Sequence, residues 1–479
     1  MRLVMVVVVG AAAALKPTVL GVTGGIAMGK STCVSQLREV FGIEVHDADE
    51  AVHRLYAPGG AAVAPVVEVL GAGVVGEDGG LDRARMSALL GSLDDAGRRA
   101  ALASLEAVVH PLVGRDREKF VARSVSWLVA VDIPLLFETM PDPRAAGLDA
   151  VVAVSCGPEE QRRRALARPN VAPAKLDAIL ARQLDDHTRT AKADFVVDTA
   201  HPEKSAARHQ MARVVETLWK RKNLAPRRRV RARCVSLDLD DTLWPTMPPL
   251  LAALAETKRH WPTYLPRSFE ALADDDLENW YRNFRNEFDK VVSGPANERL
   301  RHDITAARRL AFRALAERHG DDPNNADALV EKLVDARSTA TDAHLAPGAL
   351  DAISRLRDRG LTLGALTNGN TRRSGRLGDA LDFWLGAADV GAAKPCLAPF
   401  LAAAAQQAGS TVDALIHVGD SVQEDVRGAL EAGARAVLLA PDDDVVVDLE
   451  PLERFDPDRW CRITNIADLP DAIDERGWL

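Results

Sequence analysis

Residues Thr18–Thr32 read TVLGVTGGIAMGKST, a short apolar run followed by a glycine-rich turn that ends in a lysine and two hydroxyls. The run TVLGV is rich in β-branched residues, the pattern of a buried strand. Directly after it comes Gly24-x-x-x-x-Gly29-Lys30-Ser31, and then a helical pattern with Val34, Leu37 and Phe41 on one face. Strand, loop and helix in that order turn the spacing into a phosphate site. Around Gly24, Gly25 and Gly29 the backbone N–H groups are free to converge on phosphate oxygens, and the helix N-terminus adds its partial positive charge. Lys30 then bridges the β- and γ-phosphates of ATP, Ser31 ligands Mg²⁺, and Thr32 extends the cradle.

A phosphate loop alone does not separate a small-molecule kinase from a GTPase. Further along, EVHDADEAVHRLY puts Asp47 and Asp49 just beyond a short strand, where a carboxylate can accept the proton of an attacking hydroxyl. WLVAVDIPLLFET reads as a buried strand ending at Asp132, where enzymes of this kind place a second magnesium-associated carboxylate. EEQRRRALARPN gives a helix carrying Arg162, Arg163, Arg164 and Arg168, suited to a lid that closes on transferring phosphoryl charge. A solvated helix face is the plainer account of Arg162 and Arg163.

Taken together, GVTGGIAMGKST, DADEAVHRLY, VVHPLV, VDIPLLFE, RRALAR and AKADFVVD follow the order and spacing of dephospho-CoA kinases, so the segment from about Pro17 to Asn223 resembles that family. The resemblance implies transfer of the ATP γ-phosphate to the ribose 3′-hydroxyl of dephospho-CoA. It also implies Asp49 as general base, Arg168 as a lid arginine, His110 with Pro111 in the acceptor-side helical region, and Gln183 as the glutamine of the lid region. Two positions depart from the family pattern. Ala27 replaces the usual glycine inside the loop, which strains the backbone if that position needs a positive φ. Ala178 stands where arginine is frequent.

Composition frames the rest. At 479 residues the chain exceeds one ordinary core, and 47% hydrophobic with 27% charged residues is globular composition. A net charge of −9 argues against a general nucleic-acid binder. Five cysteines, far apart and in no CxxC pair, indicate neither a disulfide framework nor a zinc site, and a reducing compartment follows. The apolar run Leu3–Leu15 is shorter than the roughly 20 residues a spanning helix needs. Residues 1–16 therefore read as a dispensable or organelle-directed leader rather than a membrane span or a secretory signal. A cytoplasmic enzyme is expected, with an organelle as the alternative. Oligomeric state is left open.

Between Lys220 and Arg233, KRKNLAPRRRVRAR holds eight Lys or Arg in fourteen residues without an apolar period. Such a run reads as an exposed linker, placed at 223–232. It separates two segments that each alternate short apolar strands with helical patterns, the signature of parallel α/β sheets.

The second segment opens on RCVSLDLDDTLWP, where a strand from Cys234 to Leu237 delivers Asp238 and Asp240 to one side of the extended chain. Two carboxylates there suit a site in which one attacks phosphorus, the other shuttles protons, and Mg²⁺ screens them. Later, LTLGALTNGN ends a strand at Thr367 and Asn368, GAAKPCLAPF supplies Lys394, and LIHVGDSVQEDVRGALEAG supplies Asp420 and Asp425. All four groups fall where strand ends meet at the carboxyl edge of a parallel sheet. This set resembles the haloacid dehalogenase superfamily over about Arg233 to Leu479. The resemblance implies Asp238 as nucleophile through an aspartyl-phosphate, Asp240 as general acid and base, and Thr367 with Lys394 as phosphate binders. For Mg²⁺ it implies Asp420 and Asp425, with Asp238 and Asp240 included among the ligands. Asp240 favours a phosphatase over a dehalogenase.

More than 100 residues separate Asp240 from Thr367, and HDITAARRLAFRALAERHG puts Ile304, Ala307, Ala311 and Leu315 on one helical face. An insertion there, about 245–345, is expected to be a helical cap that selects the leaving group. DLDDTLWPTMPPL, RHDIT, TNGN and HVGDS are similar to phosphatases acting on the phosphorylated pyrimidine precursor of riboflavin and on FMN.

The expectation is thus two α/β domains. Residues 17–222 form a P-loop NTPase-type parallel sheet with a helical lid, and residues 233–479 a Rossmann-like dehalogenase-type core with a helical cap. Their ligands are ATP, Mg²⁺, dephospho-CoA and a phosphomonoester, with no nucleic acid and no stable membrane span. Two alternatives stand beside this bifunctional enzyme: a kinase whose second half is a binding or regulatory module, and a kinase for another nucleotide-like alcohol.

Overall fold

A computed structural model describes residues 16–169, 171–201, 204–222, 230–272, 276–293, 300–407, 410–440 and 447–479. Residues 1–15 of the expected leader and 223–229 of the expected linker lie outside the described residues. The chain forms two compact units, Met1–Arg38 with Ile43–Val196, and Glu39–Gly42 with Val197–Leu479. None of the described helices is long and apolar enough to cross a membrane.

The first unit is built on a sheet of five strands, β1 (Thr18–Thr23), β2 (Glu44–Asp47), β3 (Leu128–Asp132), β4 (Ala150–Ser155) and β5 (Phe195–Asp198), in the order β2-β3-β1-β4-β5. β1 pairs in parallel with both β3 and β4, and β3 pairs in parallel with β2. A central parallel strand is covered on both faces, which is why β1, β3 and β4 are almost wholly buried and read as continuous apolar runs. The order reverses at β1, so its carboxyl end opens a crevice between diverging connections. The phosphate loop fills that crevice, and the helix Lys30–Glu39 follows at once.

In the second unit six strands run in the order β11-β10-β9-β6-β7-β8, namely β6 (Cys234–Leu237), β7 (Thr362–Thr367), β8 (Phe383–Gly386), β9 (Leu415–Gly419), β10 (Arg435–Leu439) and β11 (Trp460–Ile463). All the pairings are parallel. Val235, Leu237, Leu363, Ile416, Val418 and Val437 form the centre of its core. Between β6 and β7 the chain builds a helical insertion that includes Met247–Tyr264, Ile304–His319 and Ala326–Ala340. This insertion has its own apolar cluster around Leu254, Trp261, Phe284, Phe312, Leu315 and Leu333. Trp261 meets Phe312 edge-on at 4.7 Å between ring centres, a packing that orients the helices more specifically than aliphatic contact does. Ala307, Ala311 and Leu315 are buried along the expected helical face, with Ile304 partly so.

All five cysteines are free thiols, and only Cys396 is not fully buried. Burial pushes the Cys33 and Cys234 thiols up to about 12.

Among the described residues, two that are not glycine hold a positive φ, Ala27 at 61° and Asp241 at 61°. Asp241 tolerates the left-handed region as a short polar residue does, and its two carboxylate oxygens accept from the Thr246 N–H and hydroxyl, both at 2.8 Å. Ala27 has no such compensation: its Cβ carries the cost of about 1 kcal/mol or more that a left-handed L-residue incurs. Ala27→Gly removes that strain but adds unfolded-state entropy, so the expected outcome is a gain of up to about 1 kcal/mol. Denaturant unfolding of the first unit checks it; a loss beyond 1 kcal/mol contradicts the strain.

Candidate functional site

At the carboxyl edge of the first sheet, Asp47 and Asp132 stand opposite one another in register on β2 and β3. Lys30, at the first position of its helix, places its Nζ against Asp132 Oδ1. Burial raises the Asp132 carboxyl above its ordinary range; Lys30 opposes this, and the nearby Asp47 and Asp49 reinforce it. Three carboxylates and one ammonium thus share the end of the β2–β3 pair.

Within DAD the two aspartates have different work. Asp47 caps the helix Ala48–Tyr56, its Oδ1 accepting from the backbone N–H groups of Asp49 at 2.8 Å and Glu50 at 3.1 Å. An N-cap oxygen satisfies donors that the first helical turn leaves unpaired. Asp49 is exposed and carries no such duty. Ser31 and Thr32 are exposed at the start of the phosphate-loop helix, and Gly24 and Gly25 are buried beneath it. Gly29 needs its freedom, with φ at 90°. At Gly24 a Cβ would sit 2.8 Å from the Val154 carbonyl oxygen.

The arginine-bearing helix is Pro158–Leu166. Arg162 pairs with Asp177, and Arg163 and Arg164 pair with Glu160, whose carboxyl these arginines hold down at about 2. These exposed pairs contribute little to stability. Arg168 follows the helix, exposed and without an ion pair among the described residues.

In the second unit, Asp238 follows β6 directly and its N–H donates to the Val418 carbonyl at 2.8 Å, tying it to β9. Lys394 Nζ lies 2.5 Å from Asp238 Oδ1 and 2.6 Å from Asp425 Oδ1. Carboxylate oxygens of Asp238, Asp420 and Asp425 lie within 4.8 Å of one another. Burial, and then the neighbouring carboxylates, push Asp238 up to about 8 despite Lys394, and Asp420 up to about 6. Lys394 and His417 hold Asp425 below its ordinary range against the effect of burial. One ammonium among three carboxylates leaves an excess of negative charge, and hard oxygen donors with such an excess suit Mg²⁺. Asp240, expected with the ligands, is not brought into this group. Its side chain turns to the helical insertion, where Arg337 Nη2 reaches Oδ1 at 2.7 Å and Oδ2 at 2.8 Å. The Trp244 indole N–H also donates to Oδ1, at 3.0 Å.

Thr367 ends β7 close to Asp240, and Gly369 leaves them room. A Cβ on Gly369 would stand 2.8 Å from Asp240 Oδ2 and 3.2 Å from Thr367 Oγ1. Beside this corner a cavity of about 380 Å³ is lined by Thr305, Asn368, Asn370 and Trp384 among others.

Further residues support the site. Asn368 brackets the Lys394 backbone, accepting from its N–H at 2.8 Å and donating to its carbonyl at 3.0 Å. Arg308 donates to Asn370 Oδ1 at 2.8 Å, and burial with the nearby Arg337 brings its pKa down to about 10. His417, whose pKa burial lowers, bridges Ser236 at 2.8 Å and Asp425 at 3.0 Å. For Asn368 and His417 the adjacent strand ends were a clue; for Arg308 and Arg337 none existed.

These two edges define a P-loop kinase-type domain joined to a hydrolase-type domain with a carboxylate centre. The family model for dephospho-CoA kinase matches residues 18–203, and that for haloacid dehalogenase-like hydrolases matches 232–433. The first half is 44% identical over 203 residues to a dephospho-CoA kinase of Mesorhizobium japonicum, covering 42% of this chain and 96% of that one. It is 46% identical over 181 residues to a dephospho-CoA kinase of Jannaschia sp., covering 38% and 87%. A solved 2-haloacid dehalogenase from Pseudomonas syringae is 29% identical, covering 51% of this chain and 99% of that one, with a TM-score of 0.42. The chain belongs to the dephospho-CoA kinase family through its first half, and its second half is a haloacid dehalogenase-like hydrolase domain.

The Gly369 corner gives a direct check. Gly369→Ala should displace Asp240 or Thr367 and lower phosphomonoester hydrolysis by about 10²-fold, the scale of a misplacement near 1 Å. Turnover within threefold of wild type, with an unchanged melting temperature, contradicts that packing.

Proposed function

We propose that the chain is a bifunctional phosphoryl-transfer enzyme. Its first half phosphorylates the 3′-hydroxyl of dephospho-CoA with ATP, and its second half hydrolyses a phosphomonoester through an aspartyl-phosphate. The observation that carries this reading is that each sheet edge presents its own lysine against its own carboxylates, Lys30 with Asp132 and Lys394 with Asp238 and Asp425.

In the kinase half, Asp49 accepts the proton of the attacking hydroxyl, because Asp47 is occupied in capping its helix. Lys30 moves from Asp132 to the transferring phosphate. Arg168 closes on it with the lid, and Gly24, Gly25, Gly29 and Thr32 cradle the remaining phosphates. Ser31 would hold Mg²⁺, with Asp132 beside it.

In the hydrolase half, an Asp238 oxygen attacks phosphorus and the ester P–O bond breaks, the leaving oxygen taking a proton from Asp240. Water then attacks the aspartyl-phosphate, Asp240 receives its proton, and Asp238 is released with inorganic phosphate. Thr367 and Lys394 hold the phosphoryl oxygens. Asp238, Asp420 and Asp425 would hold Mg²⁺, which when bound supplies charge neutralisation between carboxylates and phosphate. Arg337 grips both oxygens of Asp240, so proton transfer requires the insertion to loosen that grip. The insertion acts as the cap, and motif resemblance favours a phosphorylated riboflavin precursor or FMN as substrate.

The rival in which the second half only binds or regulates is disfavoured by its full set of Asp238, Asp240, Thr367, Lys394 and Asp420. A kinase for another alcohol is disfavoured by the 44% identity over nearly the whole length of a dephospho-CoA kinase.

Lys30→Ala should abolish phosphorylation of dephospho-CoA and spare hydrolysis, and Asp238→Asn should do the reverse, both read on the intact chain. Loss of both activities from either change in a folded protein contradicts separate centres. Asp49→Asn should lower kinase turnover by roughly 10²-fold with ATP binding nearly intact. A larger effect from Asp47→Asn reverses the assignment. Hydrolysis that persists in EDTA excludes the metal-assisted mechanism.

A further inference from the structure

Ile26 sits in the middle of the phosphate loop, and two side chains grip its backbone. Gln161 Nε2 donates to the Ile26 carbonyl at 3.0 Å, and the Ile26 N–H donates to Gln183 Oε1 at 3.3 Å. The neighbouring residues explain why a grip is needed. Ala27 holds a left-handed conformation that a free loop abandons readily. Gly25 presents a bare face to the same groups: a Cβ there would lie 2.8 Å from Gln161 Nε2, 3.0 Å from Gln183 Oε1 and 3.3 Å from Arg189 Nη1. Arg189 is fully buried, donates to the Leu184 carbonyl at 2.5 Å, and lies 3.6 Å from Asp186 and 3.8 Å from Glu138.

The two glutamines come from the lid region rather than from the loop. Gln161 is on the helix Pro158–Leu166 that carries Arg162, Arg163 and Arg164 and leads to Arg168. Gln183 follows the next helix, Pro173–Leu180. We infer that Gln161 and Gln183, backed by Arg189, are positioning residues that preset the phosphate loop for ATP and tie it to the arginine-bearing lid. The loop is then ordered by folding rather than at binding, which is how preorganisation raises affinity. This deepens the kinase reading and rests on it for the identity of the nucleotide.

The polarity of the two bonds supplies a test that simple packing does not. Gln161 acts as donor, so Gln161→Glu sets an acceptor against the Ile26 carbonyl. Gln183 acts as acceptor, so Gln183→Glu keeps its bond, with Arg189 beside it to offset the added charge. Isothermal titration of ATP with Mg²⁺ into the intact chain should show Gln161→Glu, Gln161→Leu and Gln183→Leu weakening ATP by about tenfold or more, the scale of one broken buried hydrogen bond. Gln183→Glu should recover most of what Gln183→Leu loses. Thermal unfolding and far-ultraviolet circular dichroism report that each variant is folded. Equal weakening by the two glutamate variants, or tenfold-intact affinity in both leucine variants, overturns the inference. A wild type that binds ATP but does not phosphorylate dephospho-CoA strikes the kinase reading and leaves the grip standing. A wild type that binds no ATP overturns both.

Discussion

In both halves a lysine ammonium is held against carboxylate at the carboxyl edge of a parallel sheet, and the loops around it are arranged to keep it there. Lys394 is almost fully enclosed between Asp238 and Asp425, whereas Lys30 is only partly buried against Asp132. Ion pairs taken out of water return little net stability, since desolvation consumes most of the Coulombic gain. Their persistence in both units makes sense as storage. In the proposed mechanisms the lysine waits on a carboxylate, and an arriving phosphate replaces that partner without the ammonium ever being left bare. What fixes the lysines is accordingly backbone: the first turn of a helix for Lys30, and the Asn368 amide on both sides of the Lys394 peptide.

The hydrolase edge adds a second layer of control through the helical insertion. One nitrogen of Arg337, Nη2, is shared between both oxygens of Asp240, while Nη1 turns to Asn370. Arg308 and Arg337 both turn to the Asn370 amide oxygen, so one loop residue gathers two cations from two insertion helices. The insertion is thereby tied to the carboxylate proposed for proton transfer, beyond being a wall around the cavity.

How far the sequence could be read follows from distance along the chain. The phosphate loop, DAD and DLDD are contiguous, and each sits at the end of a strand whose apolar run is unmistakable. β3 and β6 accordingly end at Asp132 and Leu237, where the pattern placed them. The strain at Ala27 was legible because one residue type stood in the wrong conformational place, and φ of 61° bears it out. The partner of Asp240 was not legible, since Arg337 is 97 residues away on a helix whose other residues face an apolar cluster. Alternation along an extended chain suggested that Asp238 and Asp240 work side by side. The strand stops at Leu237, and the turn built by Asp241 sends the two carboxylates to different partners. Gln161 hid for a related reason: a glutamine among charged neighbours looks like surface until its fold partner is known.

The cysteines give the two centres an unplanned immunity. Cys33 follows Lys30 by one helical turn, Cys234 opens the strand that leads to Asp238, and Cys396 comes two residues after Lys394. Burial pushes all three thiols up, Cys396 to about 11, so at neutral pH almost none of the nucleophilic thiolate exists beside either reacting centre. Electrophiles that need a thiolate therefore find little of it at Cys33, Cys234 or Cys396 while the chain stays folded.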